Sequence, residues 1–519
     1  MKRTHLLLAA ALIAGTSPSY ALFVANVNTT GSAGAFTTVQ AAVDACTASA
    51  DPVCRVDIIE AATYDDPLPA DSASTVVVPG GYALTIQGTV AGVIIDQSAG
   101  LANAVSSSAG AGVLNLTLNN LTLRRQAGTG PTLKFDARAA DTVTVSITNC
   151  TVTQTLASGG GEALKLDVGA EDGPGVTINI TNSTLTSASS LNNKAAIRVQ
   201  SNGADFDNLT LNITDSTINT QDSGIRLSAA SPISPELENL KINILRSTIN
   251  SLIDRGIEFD NPAGGAIVNV TDSTFNCEDE AIIMATTARP SPNTVWTFNR
   301  CVINKTVGAA SAVRAVDLRF TDATFSSRLA FYNCVFRTPT AAANARAIDV
   351  ADCLADVYHC TFLATGSAGT TGPRAISSAN TSAAPGSTVV TMSNNIFLNY
   401  GQPTPSTEDV VGGSTINSNN LVAGPVTDSN LGASTVYTAA ASGDSANITA
   451  AGLDSITLVP QSGSVAVAAG DPSSTIATAI GAVDFNNAAR PNPTGTNPDI
   501  GAFETPFGGT SAAFWVMYY

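Results

Sequence analysis

Charge and aromatic rings are scarce in this chain. Of its 519 residues only 13% are charged and 5% aromatic, with two tryptophans, Trp296 and Trp515. The charge that is present leans one way: 24 Lys and Arg stand against 41 Asp and Glu, a net −17. A basic surface for nucleic acid or anionic lipid is therefore disfavoured. Histidine is nearly missing, with His5 and His359 alone, so histidine-rich metal sites are excluded. No Cys-x-x-Cys occurs among the eight cysteines, which argues against zinc and dithiol redox motifs. No run of 18 apolar residues, the length that would span a bilayer as a helix, follows the first 21 residues. Disorder is excluded from the other side, because 44% of residues are hydrophobic and many are β-branched.

The first 21 residues read as a secretory leader. Lys2 and Arg3 precede the short apolar stretch Leu6 to Gly15, and Ser19-Tyr20-Ala21 supplies small residues before a cleavage point. The expected location is extracellular or at the cell surface, with the periplasm as the other compartment on that route. Such a compartment makes Cys46 and Cys54, eight positions apart, an expected disulfide.

What is abundant is a repeat. About every 30 residues an apolar strand is followed by Asn or Asp, a small residue, Thr and an apolar residue, a period that marks a stacked solenoid. Instances are Asn149-Cys-Thr-Val152, Asn182-Ser-Thr-Leu185, Asp215-Ser-Thr-Ile218 and Asp272-Ser-Thr-Phe275. Looser copies begin at Arg246, Arg300, Asn333, His359 and Asn394. A second alternating element returns once per unit, as in Ser223-Gly-Ile-Arg-Leu227, Arg255-Gly-Ile-Glu-Phe259 and Arg346-Ala-Ile-Asp-Val350. Alternation means a strand with one buried face.

One such coil cannot bury its apolar residues alone, whereas coils stacked about 4.8 Å apart pair their backbones above and below. The predicted fold is all-β, a right-handed parallel β-helix of about ten coils. The Asn or Asp marks a left-handed corner, which these residues tolerate best after Gly. Parity turns Ile178, Ile180, Ser183 and Leu185 inward and Thr184 outward. The small residues after the corner form an inner stack in which Cys301, Cys334 and Cys360 remain thiols, since side chains on stacked coils run parallel.

The ends differ from the middle. Residues 22–110 form an N-terminal cap and first coils, with a short helix over Phe36–Val43 and Thr37 and Gln40 as its capping box. The repeat occupies 111–425. A Gly-, Ser- and Ala-rich C-terminal cap follows over 426–505, and 506–519 is a tail.

The segments Phe36–Val43, Ile58–Tyr64 and Thr85–Gly88 resemble the opening of right-handed parallel β-helix proteins of the pectin lyase-like superfamily. Ser462–Asp471, Asp484, Arg490-Pro491 and Asp499-Ile-Gly-Ala-Phe-Glu504 resemble the choice-of-anchor Q ending of bacterial surface and secreted β-helix proteins. The resemblance implies fold and compartment, and polysaccharide or cell-surface glycan as partner for a monomer.

Chemistry is sought where the repeat breaks. Asp254, Glu258, Asp260 and Asp279 on two adjacent coils are candidate ligands for Ca²⁺, and Arg255 and Arg226 candidate catalytic groups of a calcium-dependent polysaccharide lyase. The competing expectation is a solvated charge ladder, extended by Arg314 with Asp317 and Arg346 with Asp349. The function expected first is non-catalytic glycan binding or adhesion; the lyase is the alternative.

Overall fold

The computed structural model describes residues 22–49, 51–65, 74–98, 103–107, 112–137, 142–168, 175–190, 194–201, 206–229, 237–260, 265–284, 293–306, 314–319, 327–339, 346–365, 374–379, 388–400, 415–423, 433–437, 448, 451–467, 483–490 and 497–505. The leader, Trp515 and the tail lie outside them. The chain winds as a right-handed parallel β-helix of about nine turns. Each typical turn contributes a long strand, a short strand and a third strand, as in Gly175–Thr181, Thr184–Ser187 and Ala195–Ser201. Every named strand pairs in parallel with its counterpart one turn away, in register over most of its length. No helix among the described residues is long and apolar enough to cross a membrane.

The corner between long and short strands carries the repeat. Asn149, Asn182, Asp215, Arg246, Asp272, Arg300, Asn333, His359 and Asn394 all have φ between 46° and 57°. Arginine is an unusual left-handed residue, and its neighbours explain it. Arg246 forks onto Asp215 at 2.6 and 2.8 Å, and Arg300 onto Asp272 at 2.6 and 2.9 Å. The looser copies of the motif thus alternate charge along one column.

Inside that corner runs a hydroxyl ladder. The N–H groups of Ser183, Ser216 and Ser247 donate to Oγ of Ser216, Ser247 and Ser273, each at 3.1 Å. Each hydroxyl donates in turn to the carbonyl two residues back. Cys301, Cys334 and Cys360 make that second bond with buried, free thiols. The ladder satisfies amides that the bend removes from the strand pairing. Ile178, Ile180, Ser183 and Leu185 are buried and Thr184 is not, as parity requires.

The helix spans Val39–Ala48 and buries Val39, Ala42, Val43 and Cys46 against the first strands. Its cap is Thr38, whose Oγ1 accepts from Ala41 N (3.1 Å), in place of Thr37. Gln40 closes no box. Its side chain exchanges hydrogen bonds with the Val77 backbone at 2.6 and 3.3 Å and so pins the helix to the third face. Cys46 and Cys54 are brought together as two buried free thiols, where a disulfide was expected.

The C-terminal segment lies on the flank of the solenoid. Ile448, Leu453, Leu458, Ile500 and Phe503 pack on Val335, Leu363, Ile396, Leu398 and Leu421. These last residues occupy outward positions of the short strands. In earlier turns the row of Val335, Ile396 and Leu421 is Thr151, Thr184, Thr217, Thr248 and Thr274, and the row of Leu363 and Leu398 is Thr153, Thr186, Asn219, Asn250 and Asn276. Both outward rows turn largely aliphatic where the segment covers them; the threonine that remains, Thr361, accepts from Ala502 N at 3.1 Å.

A buried polar cluster fastens the segment. Arg490 donates to His359 Nδ1 (2.6 Å) and to the Asp499 carbonyl (3.0 Å), and pairs with Glu504 at 3.1 Å. Its other nitrogen donates to Asn333 Oδ1 and the Gly501 carbonyl, both 3.3 Å. Asp484 and Asp499 hold the surrounding loop by accepting from Glu504 N and Thr505 N. His359 is a corner residue, as its position in the repeat implied, but a fully covered one. Burial and Arg490 push its pKa well below the ordinary range. Its Nδ1 also lies 3.2 Å from the Asp499 carbonyl, and its Nε2 lies 3.0 Å from the Asn394 side-chain nitrogen.

Candidate functional site

The third face carries two neighbouring rows of charge. Its outward row begins Lys134, Lys165, Arg198 and Arg226, then changes sign to Glu258, Asp317 and Asp349. A neighbouring row three residues earlier carries Glu162, then Arg255, Glu280, Arg314 and Arg346. Each cation consequently meets an anion beside or above it. Lys165 pairs with Asp167 at 2.7 Å, Arg198 with Glu162 at 3.3 Å, and Arg314 with Asp349 at 2.9 Å.

The residues singled out for chemistry lie where the sign changes. Arg226 bridges Asp260 (2.8 Å) and Glu258 (3.5 Å). Arg255 pairs with Glu258, Glu280 (3.2 Å) and Asp254 (3.6 Å). Glu258 points away from the core, as its parity requires, yet is only 2% exposed because the two arginines roof it. Asp279 belongs to the turn below and faces Lys305 at 3.5 Å.

Asp254 and Glu258 meet at the Ser223 hydroxyl, at 3.0 and 2.7 Å, while Asp260 and Asp279 face Arg226 and Lys305; among the described residues no group of three His, Cys, Asp or Glu side chains is placed to hold a metal ion. All four carboxylates face guanidinium or ammonium groups. Arg255 does not fit a base. Burial works against its charge, but Glu258, Asp254 and Glu280 outweigh that and hold its pKa above the ordinary arginine value.

One carboxylate here escaped the sequence reading. Asp222 lies one turn from Asp254 in the column Asp222–Asp254–Asp279, a relation that strict coil register would have exposed. Burial, followed by a hydrogen bond with Asp254, raises the Asp222 pKa to about 7, although Lys194 N donates to it at 2.7 Å. Burial and Asp279 raise Glu280 to about 7 as well. The protonated form suits the fold at both positions. The stability they confer is complete in acid and is lost as the pH rises through about 7. Asp222→Asn keeps the hydrogen bonds without the charge. In thermal unfolding it is expected to be more stable than the parent by about 1–3 kcal/mol near pH 8, with the difference shrinking as the pH falls from about 7 toward the ordinary carboxyl value of 3.8.

A different place on the molecule is open. Asn208, Thr210, Asn239, Lys241, Gly265 and Ile267 line a half-open groove of about 470 Å³ on the long-strand face. It spans three turns. Asn208, Asn239 and Gly265 form a second left-handed column at the entry to the long strands, with φ of 63°, 52° and 70°. A side chain at Gly265 would be strained there and would reach within 3.6 Å of Asn239 Oδ1. Thr210, Lys241 and Ile267 are the first outward residues of their strands.

Two residues further along the same strands runs a row of amides. Asn212 donates to Asn179 (2.8 Å), Asn243 to Asn212 (2.8 Å) and Asn269 to Asn243 (3.1 Å). A parallel row on the short strands links Asn219, Asn250, Asn276 and Asn304, each bond 2.8 Å. A stacked amide uses one N–H and one lone pair on its neighbours and keeps the others for solvent or ligand. The sequence signal for the groove was the recurrence of Asn-Leu-x at 208 and 239, which was not singled out. Trp296, the one described tryptophan, is no ring platform: it is buried against Phe259 at 4.7 Å.

No protein-family model matches the chain, and no curated protein does.

Proposed function

We propose that this is a secreted or cell-surface β-helix protein of the pectin lyase-like kind, with a choice-of-anchor Q type C-terminal region, that binds glycan without transforming it. The groove beside the amide row carries this reading. A sugar presents hydroxyls that both donate and accept, and a rigid row of half-used amides answers both roles at a fixed spacing. Ile267 offers an apolar surface for C–H groups and Lys241 a cation beside them. Because the backbone ladder holds these groups, little ordering is required on binding. The lyase alternative loses support from the ion pairs that occupy Arg226, Arg255 and their carboxylates.

Calorimetric titration with soluble oligosaccharides chosen from a glycan array tests the proposal. Lys241→Ala and Asn243→Ala are each expected to weaken binding about 5- to 50-fold, the effect of losing one or two ligand hydrogen bonds. Thr184→Ala, on another face, should leave affinity unchanged. Absence of binding across the array, or equal affinity in all variants, would overturn the groove. Ultraviolet absorbance from an unsaturated uronate, formed from polygalacturonate or alginate with calcium, would overturn the non-catalytic assignment.

A further inference from the structure

Eight cysteines are buried as free thiols, and their surroundings divide them. The corner thiols stand in for serine. Cys150, Cys301, Cys334 and Cys360 each donate to the carbonyl two residues back and also lie within 3.5 Å of a carbonyl on the preceding turn. Joining two of them would break those bonds, and their strands are parallel and in register, which holds the side chains side by side.

Cys46 and Cys54 are arranged differently. Cys46 is on the inner face of the last helical turn; Cys54 is the second residue of the strand Val53–Ile58. Helix and strand approach each other from different layers; the Cys46 thiol hydrogen-bonds to Cys54, a contact that Cys334 makes with Cys301 and Cys360 as well. The Ser49 hydroxyl, which bonds the Cys46 carbonyl at 2.7 Å, is 4.0 Å from Cys54 Sγ.

We propose that Cys46 and Cys54 are an oxidative clasp that locks the capping helix onto the first turns of the solenoid. The co-reactant is a small-molecule or protein disulfide. One thiolate attacks the donor disulfide and expels a donor thiolate; the second protein thiolate then displaces the remaining donor sulfur. Two protons and two electrons leave the protein, one Cys46–Cys54 bond forms, and the donor disulfide becomes two thiols.

The fold sets the order of events. Cys46 and Cys54 are only 2% and 1% exposed, so a disulfide donor reaches neither sulfur while the helix is docked, and burial, then the neighbouring Cys54, raise the Cys46 pKa far above the ordinary thiol range. Closure therefore occurs while the helix is undocked, and docking afterwards shields the bond from reductants. The loop it closes, residues 46–54, is short and contains Pro52, and the bond restricts the helix whenever it lifts.

The test uses the reduced full-length protein and oxidised glutathione. At mild urea concentrations, below the main unfolding transition, alkylation followed by peptide mass spectrometry should find Cys46 joined to Cys54 and the other six cysteines alkylated. The reaction should be at least 10-fold slower without urea. Amide exchange over residues 39–48 should then slow in the oxidised protein and return to its former rate with reductant. In a Cys46→Ala/Cys54→Ala variant, neither treatment should change it. Stable glutathione adducts at Cys46 or Cys54, a bond among Cys301, Cys334 and Cys360, or helix exchange indifferent to oxidation would overturn the clasp.

Discussion

Replacing Arg490 by Ala is expected to free the C-terminal segment while the solenoid stays folded. Arg490 is the cation of a closed compartment that contains Glu504, Asp484 and Asp499, all at most 5% exposed. Its removal leaves buried carboxylates without a counter-charge, a class of change that costs about 3–5 kcal/mol. The surrounding backbone is affected as well, since Arg490 also bonds the Asp499 and Gly501 carbonyls. The apolar contacts of Leu453, Leu458 and Phe503 then hold the segment alone. Limited proteolysis should cut within residues 483–505 of the variant and spare the parent. The His359 ring gives a second readout. It is kept neutral by burial and by Arg490, so in the variant it should titrate closer to an ordinary histidine. Arg490→Lys should not restore the parent behaviour, because an ammonium cannot serve Glu504, His359 and Asn333 from one plane. Unchanged proteolysis in Arg490→Ala would show that the apolar contacts suffice.

That cluster also marks how far the sequence could be read. The resemblance singled out Asp484, Arg490, Asp499 and Glu504 but not what they grip, because their partners Asn333 and His359 are more than 130 residues earlier. The corners were legible because a bend imposes its cost locally, on one residue in every turn. Even the looser copies followed the rule once Asp215 with Arg246 and Asp272 with Arg300 are seen as forks. Parity located Ser183, Leu185 and Thr184 correctly for the same reason. It separates inside from outside, but it does not say which outward side chain a neighbour will cover. Glu258 is the example: outward in the pattern, closed over in the fold by Arg226 and Arg255. The groove was missed because half of its lining, Asn208, Asn239 and Gly265, lies just before the strands, where no alternation exists to be read, and Thr210, Lys241 and Ile267 are only the first outward residues of theirs.

The largest single loss of stability is expected from Phe362→Ala. The interior of the later turns is aromatic where earlier turns use Leu, Ile and Val. Along the short-strand row Leu123, Val152, Leu185, Ile218 and Ile249 give way to Phe275, then Phe336, Phe362 and Phe397. Phe362 is fully buried and stacks on both neighbours, with centroids 4.6 Å from Phe336 at 6° and 4.9 Å from Phe397 at 18°. Tyr400 meets its edge at 6.5 Å. Truncation removes the transfer free energy of a buried ring and leaves a cavity that rigid strands on either side cannot close, about 3–5 kcal/mol in comparable cores. Two stacking contacts are lost with it, each worth about 0.5–1.5 kcal/mol. Phe362→Leu should recover a large part of the loss, since Leu123 and Leu185 occupy this row in other turns. Because each turn contacts mainly its neighbours, the damage should stay local. Hydrogen exchange should rise over residues 335–339, 361–365 and 396–398 and stay near parent values over 142–148. A uniform rise along the whole solenoid would mean that the turns unfold as one cooperative unit, contrary to the nearest-neighbour account.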